Sequence, residues 1–488
     1  MSGVMAPAVS STTDLRGAHL SRALRAVHSS PQALSRADLA RVLGCTRATA
    51  GALVADLERL GLIEQKDVIV SGGRGRPSTL LGPSANGPVV VAVEIGTDAV
   101  RAAHVPVTGG LVDVQTRPLR SHAVPDVLAV VGELLTSRLD ALGARVAGVG
   151  IAVHGLVDRV SGEVLSAPGL GWFGPAVDVL GCLGFRSEHA SSPQERQRMH
   201  VGNVATLVAV AETVRGRAVK DAGEPTGPGE ADTPGSGADS GAVGTVLVLH
   251  ADVGLGGALL MDGRAVTGRR GLAGEYGHLP FGTQDRVCRC GARGCWETEV
   301  DQMALAREAG LTVAPGAASA AADVVFAAMT SAAGGVSASG RRRGAGGRSA
   351  DRETAPVPAA GAARATPGTA DPANGLVAVD PQRAAEAVHR AAVSLGRGIG
   401  ALVLVHDPDL VLLSGHAAAL LRAAPQVVRA AITADGGGPG GLFGAGYGVL
   451  PVEEIALGAD AGLVGAAEAV FGALLDDVSL LTAGWVRS

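Results

Sequence analysis

Aromatic residues are nearly missing from this 488-residue chain: six Phe, two Tyr and three Trp, 2% of the total. Its core must be packed from Ala, Val and Leu, and an apolar share of 47% suits a globular chain, not a disordered one. Lysine is almost absent too, with Lys66 and Lys220 the only two among 41 basic residues. That bias accompanies abundant Ala and Gly, as GC-rich coding would give, and carries no functional weight. Five cysteines are too few and too clustered for a secreted disulfide scaffold. No apolar run reaches the roughly 18 residues that cross a bilayer, and the Ser/Thr-rich start lacks a signal peptide's basic and apolar regions. A cytoplasmic chain without a membrane partner is expected. The net charge of −5 excludes a wholly basic nucleic-acid coat, so any DNA contact is local.

The charge is unevenly spread. Residues 1–80 hold ten Lys/Arg against six Asp/Glu, about +4, which leaves about −9 for the rest. Leu20, Leu24 and Val27 recur at helical spacing. A second helix is expected over 35–43, capped by Ser35 and stopped by Gly44. A third follows over 47–60, with Ala50, Leu53, Val54 and Leu57 inward. Two short strands, 62–65 and 68–70, are expected next, joined by Lys66-Asp67. Helix, turn, helix and hairpin in this order make a winged helix-turn-helix over 15–80. In that geometry Thr46 caps the third helix, and Arg47 and Thr49 in its first turn come nearest the bases. Arg74 and Arg76, set between glycines in 71–77, suit a narrow minor groove. The expected partner is a double-stranded DNA operator, read by a homodimer or homotetramer because paired half-sites call for paired heads. A protein-binding winged helix is the blander alternative, and Gly51 and Ala52 on the open face offer no side-chain hydrogen bonds.

From about residue 88 to 475 the pattern is α/β. Short β-branched runs at 89–93, 146–153, 245–249 and 410–413 suit buried strands, with helical stretches at 125–142, 203–219, 381–404 and 458–475 between them. This alternation argues for largely parallel sheets. Two stretches break it: 223–242 is Gly/Pro/Ser/acidic, and 331–375 carries Arg341-Arg342-Arg343 amid Ala, Pro and Gly. Both are expected to be disordered insertions.

The sharpest chemical signal is His278 followed by Cys288, Cys290 and Cys295. Three thiolates and an imidazole make a closed tetrahedral Zn²⁺ site of the structural kind, with no position open to water. Gly291 and Gly294 permit the tight turn that returns Cys295 to the metal. Cys45 and Cys182 stand alone and are expected to be small buried apolar residues.

Gly274-Glu275-Tyr276-Gly277-His278 and the run from Cys288 to Glu297 spell ExGH and CxCGxxGCxE. In these motifs the chain resembles the ROK (repressor, open reading frame, kinase) family, from the winged helix to about Glu468. The resemblance implies two α/β lobes of the actin and sugar-kinase type with a ligand cleft between them. It implies zinc on His278, Cys288, Cys290 and Cys295, bracing the sugar-binding loop. It places Glu275, Glu297 and Asn203 on sugar hydroxyls, with His278 touching sugar and metal together. His154 and Trp172 lie near sequence resembling the cleft rim, where Trp172 stacks on ligand or fills core.

The departures from the family decide the expected activity. Where its kinases carry the base that deprotonates the sugar, this chain has Val204, which accepts no proton. Against the family's kinases, the first phosphate loop reads Glu94-Ile95-Gly96-Thr97-Asp98, the adenosine-side loop reads Asp252-Val253-Gly254-Leu255-Gly256, and a glycine pair has become Ser414-Gly415. Phosphoryl transfer rests on positioning and charge, so no catalytic residues are expected. The reading is a DNA-binding transcriptional regulator of carbohydrate metabolism, a repressor, sensing a sugar or sugar-derived effector. The rivals are an active sugar kinase with a DNA-binding head, and a body serving only dimerisation or partner docking.

Overall fold

The computed structural model describes residues 12–30, 33–66, 79–107, 109–185, 197–218, 244–314, 316–335, 368–369, 379–433 and 450–482. The head opens with α1 (Thr12–Ser29), β1 (Leu34–Ser35), α2 (Arg36–Leu43) and α3 (Arg47–Arg59). Ser35 and Asp38 form a reciprocal capping box at the start of α2, and Gly44, at φ +62°, ends it in the left-handed turn that favours glycine. Thr46 Oγ1 accepts from Thr49 N at 3.1 Å and so caps α3. Ala50, Leu53, Val54 and Leu57 are all buried.

The hairpin differs from the sequence expectation. β2 (Ile63–Lys66) pairs antiparallel with β3 (Leu80–Pro83), and β1 adds to the other side of β3. The expected turn at Lys66-Asp67 fails at Lys66, which continues β2. Buried Leu81 opposite Gln65 supplies the apolar position that the register needs. Residues 68–70, with Arg74 and Arg76 of the expected wing tip, lie outside the described residues.

Two five-stranded sheets follow. The first has the order β10-β7-β4-β5-β6: Met199–Asn203, Val146–Val153, Val89–Ile95, Ala99–Pro106 and Val112–Pro118. The second has the order β13-β12-β11-β16-β17: Arg264–Ala265, Gly254–Met261, Thr245–Asp252, Leu410–Gly415 and Val452–Glu454. Each is mixed, with an antiparallel meander on one side and parallel pairs on the other, which corrects the largely parallel reading. The cause is local: three residues link β4 to β5 and one links β11 to β12, too few for a crossover. Two short strands, β8 (Leu156–Val157) and β9 (Val164–Ser166), make a hairpin near the cleft.

Helix α4 (Val124–Leu142) covers one face of the first sheet. After the one-turn α5 (Val179–Cys182), α6 (Val204–Arg215) lies between the sheets, packed on both and on α13 (Ala461–Leu474). A Cβ on Gly465 would sit 1.9 Å from Leu207 O, so only glycine lets α6 and α13 meet backbone to backbone. The second sheet is covered by α7 (Glu297–Val300), α8 (Gln302–Glu308), α9 (Ala318–Gly335), α10 (Pro381–His406), α11 (His416–Ala423) and α12 (Pro425–Thr433), with α14 (Val478–Thr482) near the C-terminus. By length and composition α10 is apolar enough to cross a membrane, which run length hides because Arg390 and Arg397 interrupt it. It packs on α9 and α12 in the core of the second lobe.

Residues 223–242 lie outside the described residues. So does most of 331–375, yet α9 continues to Gly335, and β15 (Gly368–Thr369) pairs in parallel with β14 (Leu311–Thr312). Two cysteine expectations fail: Cys45 is half-buried and Cys182 is exposed. Both sit at helix ends, where the chain turns at the surface.

Candidate functional site

A cleft of about 280 Å³ opens between the lobes, a little below the usual range of small-molecule sites, ~300 to 1,000 Å³. Asn203, Glu275, His278 and Glu297 all line it. Asn203 ends β10 and caps α6: its Oδ1 accepts from Ala205 N and Thr206 N, at 2.8 and 3.4 Å. Its Nδ2 donates to Gly155 O at 2.9 Å and Glu275 Oε1 at 3.4 Å. The capping role and the cleft position thus coexist in one side chain. Val204, the first residue of α6, is 4% exposed and presents only methyl groups to the cleft. Burial raises the Glu275 carboxyl, His278 opposes the rise, and Glu297 adds to it.

The cysteine loop borders the same cleft. One donor atom from each of His278, Cys288, Cys290 and Cys295 lies within 4.8 Å of the other three. Cys290 Sγ and Cys295 Sγ are 3.7 Å apart, and Cys288 Sγ is 3.9 Å from His278 Nδ1. Tetrahedral zinc with bonds of about 2.0 to 2.3 Å requires donor separations of roughly 3.5 to 3.8 Å, so the four residues fit the ion. Burial pushes the Cys288 thiol up, reinforced by Glu297, whose Oε1 accepts from Sγ at 3.0 Å; burial also raises Cys295. Thiols held neutral in this way gain most from a cation that stabilises the thiolate.

A second cluster occupies the loops that resemble phosphate sites. His154 Nε2 is 3.3 Å from Glu94 Oε1, and His250 Nε2 is 3.2 Å from Asp252 Oδ2. His250 Nδ1 meets Ser414 Oγ at 3.0 Å. Burial works against charging His154, but Glu94, Asp252 and Asp98 outweigh it and raise its pKa. Burial alone drives the buried His416 down to about 4, with Asp252 opposing.

In the head, Thr46, Arg47 and Thr49 are exposed at the start of α3. At the far end of α6, Arg215 Nε donates to Glu468 Oε1 at 2.6 Å, and Glu468 Oε2 lies 2.8 Å from His28 Nε2 on α1. Arg25 and Ser21, also on α1, reach Asp476. Trp172 fills core rather than stacking on the cleft: it is 6% exposed, and its Nε1 donates to His122 O at 2.7 Å.

Sequence reasoning missed several residues. Arg289 lines the cleft and pairs with Asp301 at 2.6 Å and Glu297 at 3.7 Å; its place inside the cysteine motif was the available signal. His250, His416 and the His28–Glu468–Arg215 cluster carried little sequence signal, because His250 meets Ser414 from 164 residues away and His28 meets Glu468 from 440.

Known proteins match in two places. The ROK family model matches residues 237–342, and the MarR family model matches residues 21–72. The xylose repressor of Caldicellulosiruptor bescii is 23% identical over 280 residues, 56% of this chain and 61% of its own length. The xylose repressor of Bacillus subtilis is 24% identical over 277 residues, 56% and 63%. The glucokinase of Streptomyces coelicolor is 25% identical over 225 residues, 45% and 59%. The chain thus spans about three-fifths of the length of these curated relatives. Two solved structures share its fold. One is a ROK family transcriptional regulator, a homolog of the E. coli MLC protein, with TM-score 0.60, 19% identity, and 96% and 99% of the two chains covered. The other is a ROK family glucokinase from Streptomyces griseus in complex with glucose and AMPPNP, with TM-score 0.50, 20% identity, and 78% and 98% covered. By its order of elements and by these matches, the chain has a MarR-like winged helix at its head and a two-lobed body of ROK-like fold.

Proposed function

We propose that this chain is a cytoplasmic DNA-binding transcriptional regulator, a repressor, whose cleft senses a sugar or sugar-derived effector without phosphorylating it. The observation that carries the reading is Val204. It stands at the cleft where catalysis needs a base, and its isopropyl group cannot take a proton. Asn203, Glu275, His278 and Glu297 supply hydrogen-bonding groups for hydroxyls beside it. Arg289 fixes Glu297 between its own guanidinium and the cysteine loop.

His278, Cys288, Cys290 and Cys295 would hold a zinc ion. Bound there, zinc supplies a structural crosslink that braces the loop carrying Glu297. In the head, Thr46, Arg47 and Thr49 would meet the operator, with Arg74 and Arg76 reaching the minor groove. A homodimer or homotetramer sets two heads at half-site spacing.

Helix α6 gives the two functions a mechanical link. It begins at the cleft with Asn203 and Val204 and ends about 18 Å away at Arg215, which grips Glu468 and through it His28 of the head. An effector that draws the lobes together therefore loads the contact on which the head rests, and couples the cleft to head spacing. The test is direct. Purified protein with ATP and a panel of hexoses shows no turnover above background, while one of those sugars raises the melting temperature and shifts operator affinity in a mobility assay. Phosphorylated product above background would sink the sensor reading.

A further inference from the structure

The phosphate-like loops hold an arrangement that neither effector binding nor DNA binding uses. His154 follows β7 in the first lobe, whereas His250 and Asp252 lie on β11 in the second. One donor atom from each of the three lies within 4.8 Å of the other two. We propose that His154, His250 and Asp252 form a second cation site, for a divalent first-row transition metal, that bridges the two lobes.

The surroundings support a cation rather than an anion. Glu94 stands behind His154, and Asp98 lies on the same hairpin, so a phosphate would face carboxylates. Of the guanidiniums nearby, Arg101 is 3.5 Å from Glu94 and shared with Asp460, and Arg289 in the same cleft is taken up by Asp301 and Glu297. Three buried atoms in this cluster have no hydrogen-bond partner among the described residues: His250 Nε2, His416 Nε2 and Glu94 Oε2. His250 Nε2 thus lies 3.2 Å from Asp252 Oδ2 without the geometry of a hydrogen bond, so both donor atoms face the same space. The groups around the ligands orient them as metal sites require. Ser414 Oγ holds His250 through Nδ1, which leaves Nε2 to face the cluster. Gln302 Nε2 donates to Asp252 Oδ1 at 3.4 Å, which leaves Oδ2 on the same side.

Two imidazoles and one carboxylate select borderline first-row metals over Mg²⁺ or Ca²⁺, which take oxygen shells. Ligand atoms around such an ion stand about 3 to 3.5 Å apart. The second-lobe pair already meets that spacing, and the His154 donor lies within 4.8 Å of both, so a small approach by His154 completes it. Lobe closure supplies such a movement, and an ion here would hold the lobes in the closed arrangement.

Cobalt(II) titration of the full chain, stripped of metal by chelation, tests this. The cysteine loop reports itself through thiolate-to-cobalt absorption in the near ultraviolet. A further ion on two imidazoles and a carboxylate adds weak visible bands with no thiolate component. The expected result is both signals in the unaltered chain. His250→Gln and Asp252→Asn should each lose the weak bands and keep the thiolate bands, and Cys290→Ser should do the reverse. An unaltered chain that stops once the thiolate bands saturate overturns the proposal, as does a His250→Gln chain that still takes up the further ion. Because the unaltered chain decides by itself, a variant that fails to fold leaves the test intact. Displacement of the weak bands by equimolar Mg²⁺ would also contradict the ligand chemistry.

Discussion

Two ligand constellations border one cleft, and they are built in opposite ways. His278, Cys288, Cys290 and Cys295 come from a single stretch that folds back on itself, and their geometry does not depend on how the lobes sit. His154, His250 and Asp252 come from strand ends of different lobes and meet only as far as the cleft allows. The head is joined to the body in the second manner, through His28, Arg215 and Glu468 from three separate segments. A local constellation makes a stiff wall, and a distributed one reports movement. A sensor needs both, because an effector must press against something fixed to displace something free.

The largest expected effect comes from breaking the stiff wall. Cys295→Ser removes a buried ligand and should destabilise the second lobe by about 5 kcal/mol, with zinc lost on metal analysis. The head contact should be unaffected, and its loss in the same variant would erase the distinction between local and distributed sites. Glu468→Ala attacks the distributed lock and should cost about 3 kcal/mol, because it leaves Arg215 and His28 without their shared carboxylate. Proteolysis of the head, followed by mass spectrometry, is the readout that separates loosened docking from global unfolding.

The same lock has a pH signature. Burial would raise the Glu468 carboxyl, but His28 and Arg215 outweigh it and hold its pKa below the ordinary value. A lowered folded pKa adds stability at pH above about 4.3, and that stability disappears as pH falls through the folded value. Head protection should therefore weaken on acidification below about pH 4. A pH-independent cleavage pattern over that acid range would contradict the ion pair.

Arg47→Ala sharpens the comparison from the DNA side. It should weaken operator binding about tenfold, with the melting temperature unchanged, because Arg47 is exposed. The smallest effect is expected from Val204→Asp. A carboxylate at the first position of α6 is favoured by the helix N-terminus and restores an acceptor for sugar hydroxyls. Hexose affinity should rise by a factor of roughly 5 to 10 on calorimetry, with no phosphate transfer, since Glu94, Asp98 and Asp252 still occupy the phosphate loops.

How much of this was legible depends on chain distance. The clustering of the cysteine loop could be read because its four donor residues fall within 18 residues and because thiols at that spacing have few other uses. Helices α2 and α3 were legible through Ser35, Gly44 and Thr46, whose cap chemistry is local. The return strand of the hairpin was not found by sequence, because pairing is a long-range choice and Leu80–Pro83, fourteen residues beyond Lys66, partners β2. Trp172 could not be assigned from composition, since core and cleft both accept a large ring until the carbonyl of His122 is seen to hold its indole. His250 and His416 were silent for a further reason. A histidine on a buried strand or helix start looks like packing until its unpaired nitrogen is found beside an acid.

The docking of α1 has a practical consequence for engineering. Ala23, Leu24 and Val27 share one apolar cluster with Val470, Phe471 and Leu474, so the head rests on the body's own C-terminal helices. Grafting a foreign winged helix onto this body would strip that seat and leave the Glu468 carboxylate facing whatever the donor brings. The outward turn from Thr46 to Thr49 takes no part in the seat. Retargeting to a new operator is therefore best attempted by rewriting those few side chains in place, keeping the chassis beneath them native.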